Sequence, residues 1–192
     1  MLSGLVDPVL DSQRVFRMVL DAMAHPGTVV EVPGPEAAPP PLHLAAAAVC
    51  LALVDFDTPL WLDGSAASED TREFLRFYCG CPLVNDPRLA RFALIARAEV
   101  MPDLSRFDRG TDEDPDRSAT LVVQVSTLTT GQGRRLTGPG IAGETLLEVA
   151  GLPSRFWSWR RENHALFPRG VDLLLTAGRR LTALPRTTQT GA

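Results

Sequence analysis

The chain has 192 residues, 45% of them hydrophobic and 22% charged, with a formal net charge of −4. That length supports one sizeable core, the mix is ordinary for a globular domain, and the mild acidity gives no electrostatic basis for nucleic-acid binding. Lysine is absent, all 19 basic residues being arginine, which excludes both a Walker-A phosphate loop and a pyridoxal-phosphate Schiff base.

The opening MLSGLVDPVL lacks the basic region and long apolar core of a secretion signal, so cytoplasmic residence is expected. Asp7-Pro8 supplies a capping acceptor and then proline at the first turn, the signature of a helix start. Val15, Phe16, Val19, Leu20 and Met23 recur at three-and-four spacing, which predicts an amphipathic helix with one apolar stripe. Arg17 and Asp21, four apart, are expected to pair on its other side. Pro26-Gly27 stops the helix, and Thr28 to Val32 alternates like a strand. Val32 to Pro41, with five prolines and a glycine, reads as an irregular connection. Leu42 to Val54 is apolar nearly all round: a buried helix, too short to span a bilayer.

Further along, Pro59 to Leu62 reads as a short strand, and Glu69 to Tyr78 as a helix with Phe74, Phe77 and Tyr78 inward. Phe92 to Ala96 predicts a strand, and the acidic stretch Phe107 to Ser118 a loop. Leu121 to Leu128 has the highest branched-residue content and predicts one strand, paired with Arg134 to Thr137 across the Thr130–Gly133 turn. Glu144 to Val149 reads as a helix stub. Ser154 to Asn163 predicts a helix whose Phe156, Trp157 and Trp159 cannot all face one way, leaving one ring partly exposed for a partner. Val171 to Ala177 and Arg180 to Leu184 flank Gly178-Arg179, a type II′ hairpin. Strands and helices interleave without a repeat, so the expected fold is a single α/β domain over residues 1–192, a mixed sheet flanked by helices.

The chemistry-bearing residues are sparse. Cys50, Cys79 and Cys81 are odd in number and at no zinc spacing, so free thiols and no metal are expected. His25, His43 and His164 stand beside no nucleophile motif, and the two at helix ends read as caps. Asp112 to Asp116 is too short for a calcium loop and reads as solvated acid. Gly138 to Gly143, GPGIAG, formally matches a dinucleotide fingerprint, but no long helix follows it. A tight turn is the plain reading, and an anion nest from the amides of Gly138 to Ile141, Gly140 among them, beside Arg134 and Arg135 the sharper one. Arg17, Arg76, Arg135 and Arg186 form the candidate set for oxyanion or protein binding, because the guanidinium fork donates two parallel bonds to an oxyanion. The alternative is solvated surface, or pairing with a carboxylate such as Asp55, Asp57 or Asp172.

Four stretches carry a family likeness in order along the chain: FRMVLDAMAHPG from Phe16 to Gly27, DTPLWL from Asp57, RLTGPGIA from Arg135, and FPRGVDLLLTAGRRLTALPRTT from Phe167 to Thr188. Together the chain resembles the PhnH family, accessory subunits of the bacterial carbon–phosphorus lyase pathway. The resemblance implies a fold like that of pyridoxal-phosphate-dependent transferases without the cofactor, a homodimer in isolation, and membership of a core complex with three other subunits. That complex works in the ATP-dependent synthesis of ribose 1-methylphosphonate 5-triphosphate. The resemblance carries over no catalytic residue. The lack of any nucleophile–base pair or metal set points to an interaction or scaffold subunit without chemistry of its own, and the charge and short apolar runs to no nucleic-acid or membrane partner. A stand-alone phosphonate- or nucleotide-binding transferase is the alternative.

Overall fold

The computed structural model describes residues 4–191. The first helix, α1 (Pro8–Ala24), begins as its sequence dictates, with the Asp7 carboxylate accepting from the Val9 and Leu10 amides. Its buried arc is Val15, Val19 and Ala22, whereas Phe16 and Leu20 from the expected stripe are exposed. Consecutive helical residues point about 100° apart, so a helix docked on Val15 and Val19 turns the next residue of each pair outward. Asp21 meets His25 Nδ1 at 3.2 Å rather than Arg17.

Strand β1 is only Val30–Glu31, shorter than expected. Helix α2 (Leu44–Leu53) is buried from Ala45 to Cys50, its four alanines allowing close packing on all sides. Then come β2 (Leu60–Leu62) and α3 (Glu69–Cys79), which is capped by Ser68 and closed by Gly80 in the left-handed region. Phe74 and Leu75 are buried on α3, but Phe77, expected inward, is 68% exposed and packs edge-on against Tyr78. β3 (Leu83–Val84) is too short to leave a periodic signal; β4 (Phe92–Ile95) falls where expected.

The expected strand from Leu121 to Leu128 is two strands in two sheets, β5 (Thr120–Gln124) and β6 (Thr127–Thr137). The chain crosses between them at Val125 and Ser126, whose amides bond Thr176 and Ala150 respectively. β6 does not turn back at Gly131–Gly133 but bulges there: Thr130 and Arg134 both face Leu147. Its partner is β7 (Thr145–Ala150), a strand where the sequence suggested a helix stub. The branched and apolar Thr145, Leu147 and Val149 find a sheet face to cover, which overrides the local pattern. After α4 (Phe156–His164), β8 (Asp172–Ala177) and β9 (Arg180–Leu184) form the expected hairpin, with Gly178 at φ +61°. β10 (Gln189–Thr190) ends the fold.

The main sheet runs β1-β9-β8-β5-β4-β2-β3, with β8, β5, β4, β2 and β3 mutually parallel and β9 antiparallel to both its neighbours, β8 and β1; the small sheet runs β10-β6-β7. The two-residue period of the strands divides the core. Leu94, Val122 and Leu174 face the layer of α1, α2 and α3. Leu121, Val123, Leu173 and Leu175 face α4 and the small sheet. The chain is therefore an α/β domain, a mixed sheet covered on both faces.

All three cysteines are buried free thiols. Burial pushes Cys50 well above the ordinary thiol range and Cys79 up to about 12, and raises Cys81 as well. At pH 8 a thiol with that value is thiolate in roughly one molecule in 10,000. Ellman's reagent is expected to find no reactive thiol in the native protein and all three after guanidinium denaturation. Fast native labelling would show that this layer opens.

Candidate functional site

Three of the four family-like stretches meet at one junction. α1 ends at His25, and Pro26-Gly27 turns the chain so that the Gly27 amide reaches Ala183 O of β9. Gly138 to Gly143 is the hairpin loop between β6 and β7 and lies directly on that corner. A Cβ on Gly140 would stand 1.9 Å from the Ala24 carbonyl oxygen, and one on Gly27 would stand 2.9 Å from Leu136 Cδ1. On the far side, a Cβ on Gly138 would meet Thr187 O at 3.0 Å. Glycine at 138 and 140 lets the loop backbone touch the α1 corner and the PRTT backbone directly, while glycine at 27 leaves room for the Leu136 and Thr145 side chains. The loop joins antiparallel strands and opens no helix, so no helix N-terminus is present to receive a pyrophosphate. The tight-turn reading of GPGIAG follows.

The PRTT stretch is held from below by α4. Pro185 O and Thr188 O both accept from Arg160 Nη2, at 2.8 and 3.3 Å, and His164 Nδ1 lies 2.9 Å from Arg186 O. Arg160 is fully buried; burial pushes its guanidinium down to about 10, while Asp172 pulls the other way. Sequence reasoning missed this arginine. Its signal was present in the spacing: Phe156, Trp159, Arg160 and Asn163 follow the three-and-four rule and form the buried arc of α4. Asn163, the other polar member, bonds Val171 with both ends of its amide, at 2.8 and 3.0 Å.

The candidate arginines are placed unequally. Arg186 is bound on every side: it grips Asp172 through Nε and Nη2 at 3.2 and 2.6 Å, and also donates to Pro115 O, Pro168 O and Ser118 Oγ. Both side chains of that pair are nearly buried, 13% and 14% exposed. Arg135 lies at the exposed rim of the same junction, 3.4 Å from Glu144, with Gly138 and Gly140 a few residues on. Arg17 projects from α1 with no hydrogen bond or ion pair among the described residues. Arg76 sits on α3, facing Glu69 at 4.0 Å, within the helical layer rather than at the junction.

The other natural place for a ligand, the C-terminal ends of the parallel strands, is closed by the chain itself. Gln124, at the end of β5, donates to Pro41 O and Ala96 O and accepts from the His43 amide. Asp63, just past β2, accepts from the Ala66 and Ala96 amides. Each histidine has Nδ1 within 3.3 Å of a main-chain carbonyl, of Asp21, Thr176 or Arg186. No serine or cysteine is hydrogen-bonded to a histidine among the described residues, nor do three His, Cys, Asp or Glu side chains gather as a metal set. No described helix is long and apolar enough to cross a membrane.

A model of the PhnH family, described as bacterial phosphonate metabolism protein, matches residues 3–191. The chain is 39% identical over 186 residues to the alpha-D-ribose 1-methylphosphonate 5-triphosphate synthase subunit PhnH of Rhizobium meliloti (strain 1021), covering 97% of this chain and 93% of that protein. It is 35% identical over 176 residues to HtxG of Stutzerimonas stutzeri, named as a C-P lyase subunit protein, covering 92% and 84%. The chain belongs to the PhnH family.

Proposed function

We propose that this chain is a subunit of the bacterial carbon–phosphorus lyase machinery, serving the synthesis of ribose 1-methylphosphonate 5-triphosphate by assembly and shape rather than by chemistry of its own. The observation that carries this reading is the end-to-end correspondence with a protein named as a subunit of that synthase. The engaged histidines and the closed strand ends support the non-catalytic part.

The pyridoxal-phosphate transferase-like fold implied by the family belongs to the same proposal, supported by a mixed sheet with helices on both faces. The residues do not fit the cofactor: the chain has no lysine, and Gln124 fills the strand ends with Pro41 and His43. A homodimer in isolation is supported by the exposed Val9, Phe16 and Leu20 on α1, an apolar stripe facing away from the core. Cytoplasmic placement goes with the pathway. Any direct contact with a phosphonate oxyanion falls to Arg135, the candidate at the junction whose one ion-pair partner among the described residues is an exposed carboxylate.

Co-expression of a tagged chain with the other phosphonate-pathway subunits tests the reading. The chain is expected to purify with them, and alone to leave ATP and methylphosphonate unchanged. Turnover by the isolated chain sinks the non-catalytic assignment and restores the transferase alternative.

A further inference from the structure

The edges of the two sheets are treated unequally. β1, β3 and β10 are two residues long, the kind of short edge with which natural proteins avoid stray pairing. β7 runs six residues and is paired on its β6 side alone. Among the described residues, no main-chain or side-chain group beyond β6 and the Ser126 amide bonds its backbone. It carries no proline and no basic residue; its one charge, Glu148, is held on the solvent face by Gln132 of the β6 bulge at 2.6 Å.

Beside this edge lies an open pocket of about 260 Å³, lined by Gly133, Arg134, Leu147, Glu148, Val149 and Trp157. Its lining is mixed, Arg134 and Glu148 beside Val149 and Trp157, and the half-buried Trp157 ring lies 5.3 Å beneath the Arg134 guanidinium. A row of unpaired amides and carbonyls with a side-chain pocket alongside is the arrangement by which sheets capture extended chains: main chain supplies affinity and the pocket selects.

We infer that β7 is a strand-addition site for another polypeptide of the assembly, whose strand places an apolar side chain against Val149 and Trp157 and an arginine or lysine opposite Glu148. This rests on the reading of the chain as a subunit. An apolar face accepts many shapes, but an open ladder is complementary only to an extended backbone. Charge decides between a foreign strand and a second copy. Full-length antiparallel pairing of two β7 strands about a two-fold axis sets Glu148 directly opposite its counterpart or on the diagonal to it, and like charges so placed oppose pairing. A foreign strand with a cation there has no such penalty.

Amide hydrogen exchange over Thr145–Ala150, measured on the isolated chain and on the complex purified with its co-expressed pathway subunits, tests the site. Outward-facing amides are expected to exchange freely in the isolated chain and to slow by about 100-fold or more in the complex. Glu148→Arg is expected to weaken assembly by about tenfold while leaving the melting temperature of the isolated chain unchanged. Equal exchange in both states overturns the inference and leaves the subunit reading intact. Protection that grows with concentration of the chain alone assigns the edge to a second copy and overturns it too. Failure to form any complex removes both readings together.

Discussion

Gly140→Ala is expected to destabilise the chain by about 4 kcal/mol, while Gly143→Ala, three residues on in the same loop, loses only about 1. The two glycines have nearly the same φ, +81° and +83°. The conformational penalty of an L side chain in the left-handed region, about 1–2 kcal/mol, is therefore common to both. Only the space differs. A methyl at Gly143 meets nothing within 4 Å, whereas one at Gly140 lands 1.9 Å from Ala24 O and 3.1 Å from Pro26 Cδ. The obstacle is backbone on one side and a proline ring on the other, neither of which can swing aside, so the α1 corner and the β6–β7 loop must part. Overpacking of this kind costs about 1–3 kcal/mol, out of a total stability of about 5–15. Urea midpoints of the two variants measure the difference directly. Equal losses would show that the loop does not rest on the corner.

Arg186→Ala is expected to cost about 3 kcal/mol, and to do so through folding rather than through loss of an oxyanion. Removing the guanidinium leaves Asp172 a nearly buried carboxylate without its ionic partner. Pro115 O and Ser118 Oγ lose a donor at the same time, so the acidic loop is released from the start of β5 and β8. Breaking a buried pair on one side is the expensive way to lose it, whereas Arg186→Met with Asp172→Leu should recover part of the loss. Guanidinium denaturation of the three proteins tests this. A single-variant loss below about 1 kcal/mol, with the double variant no better, would return Arg186 to the surface set.

Much of the fold is local and was legible. The Asp7-Pro8 start of α1, the all-round apolar α2, β4, and the Gly178-Arg179 hairpin each depend on residues within a turn or two of one another. The errors share a cause. Phe16, Leu20 and Phe77 are apolar residues at helical spacing, yet which arc of a helix faces the core depends on what it docks against. The division of Leu121–Leu128 between two sheets, and the emergence of β7 from a short helix-like stretch, depend on partners far along the chain. Arg160 was passed over because arginine is usually exposed; the spacing that buried it was visible, and the carbonyls of Pro185 and Thr188 that receive it were not.

Residue identity alone excluded lysine-dependent chemistry, set the α/β class, and carried the family through four ordered stretches. Those are matters of composition, period and local motif, which need no knowledge of distance. Folding decided which of Arg17, Arg76, Arg135 and Arg186 remain available, that HPG, GPG and PRTT touch, that the strand ends are closed, and that one long edge stays open. These are long-range relations between groups tens to more than a hundred residues apart, and no pattern within a single segment encodes them.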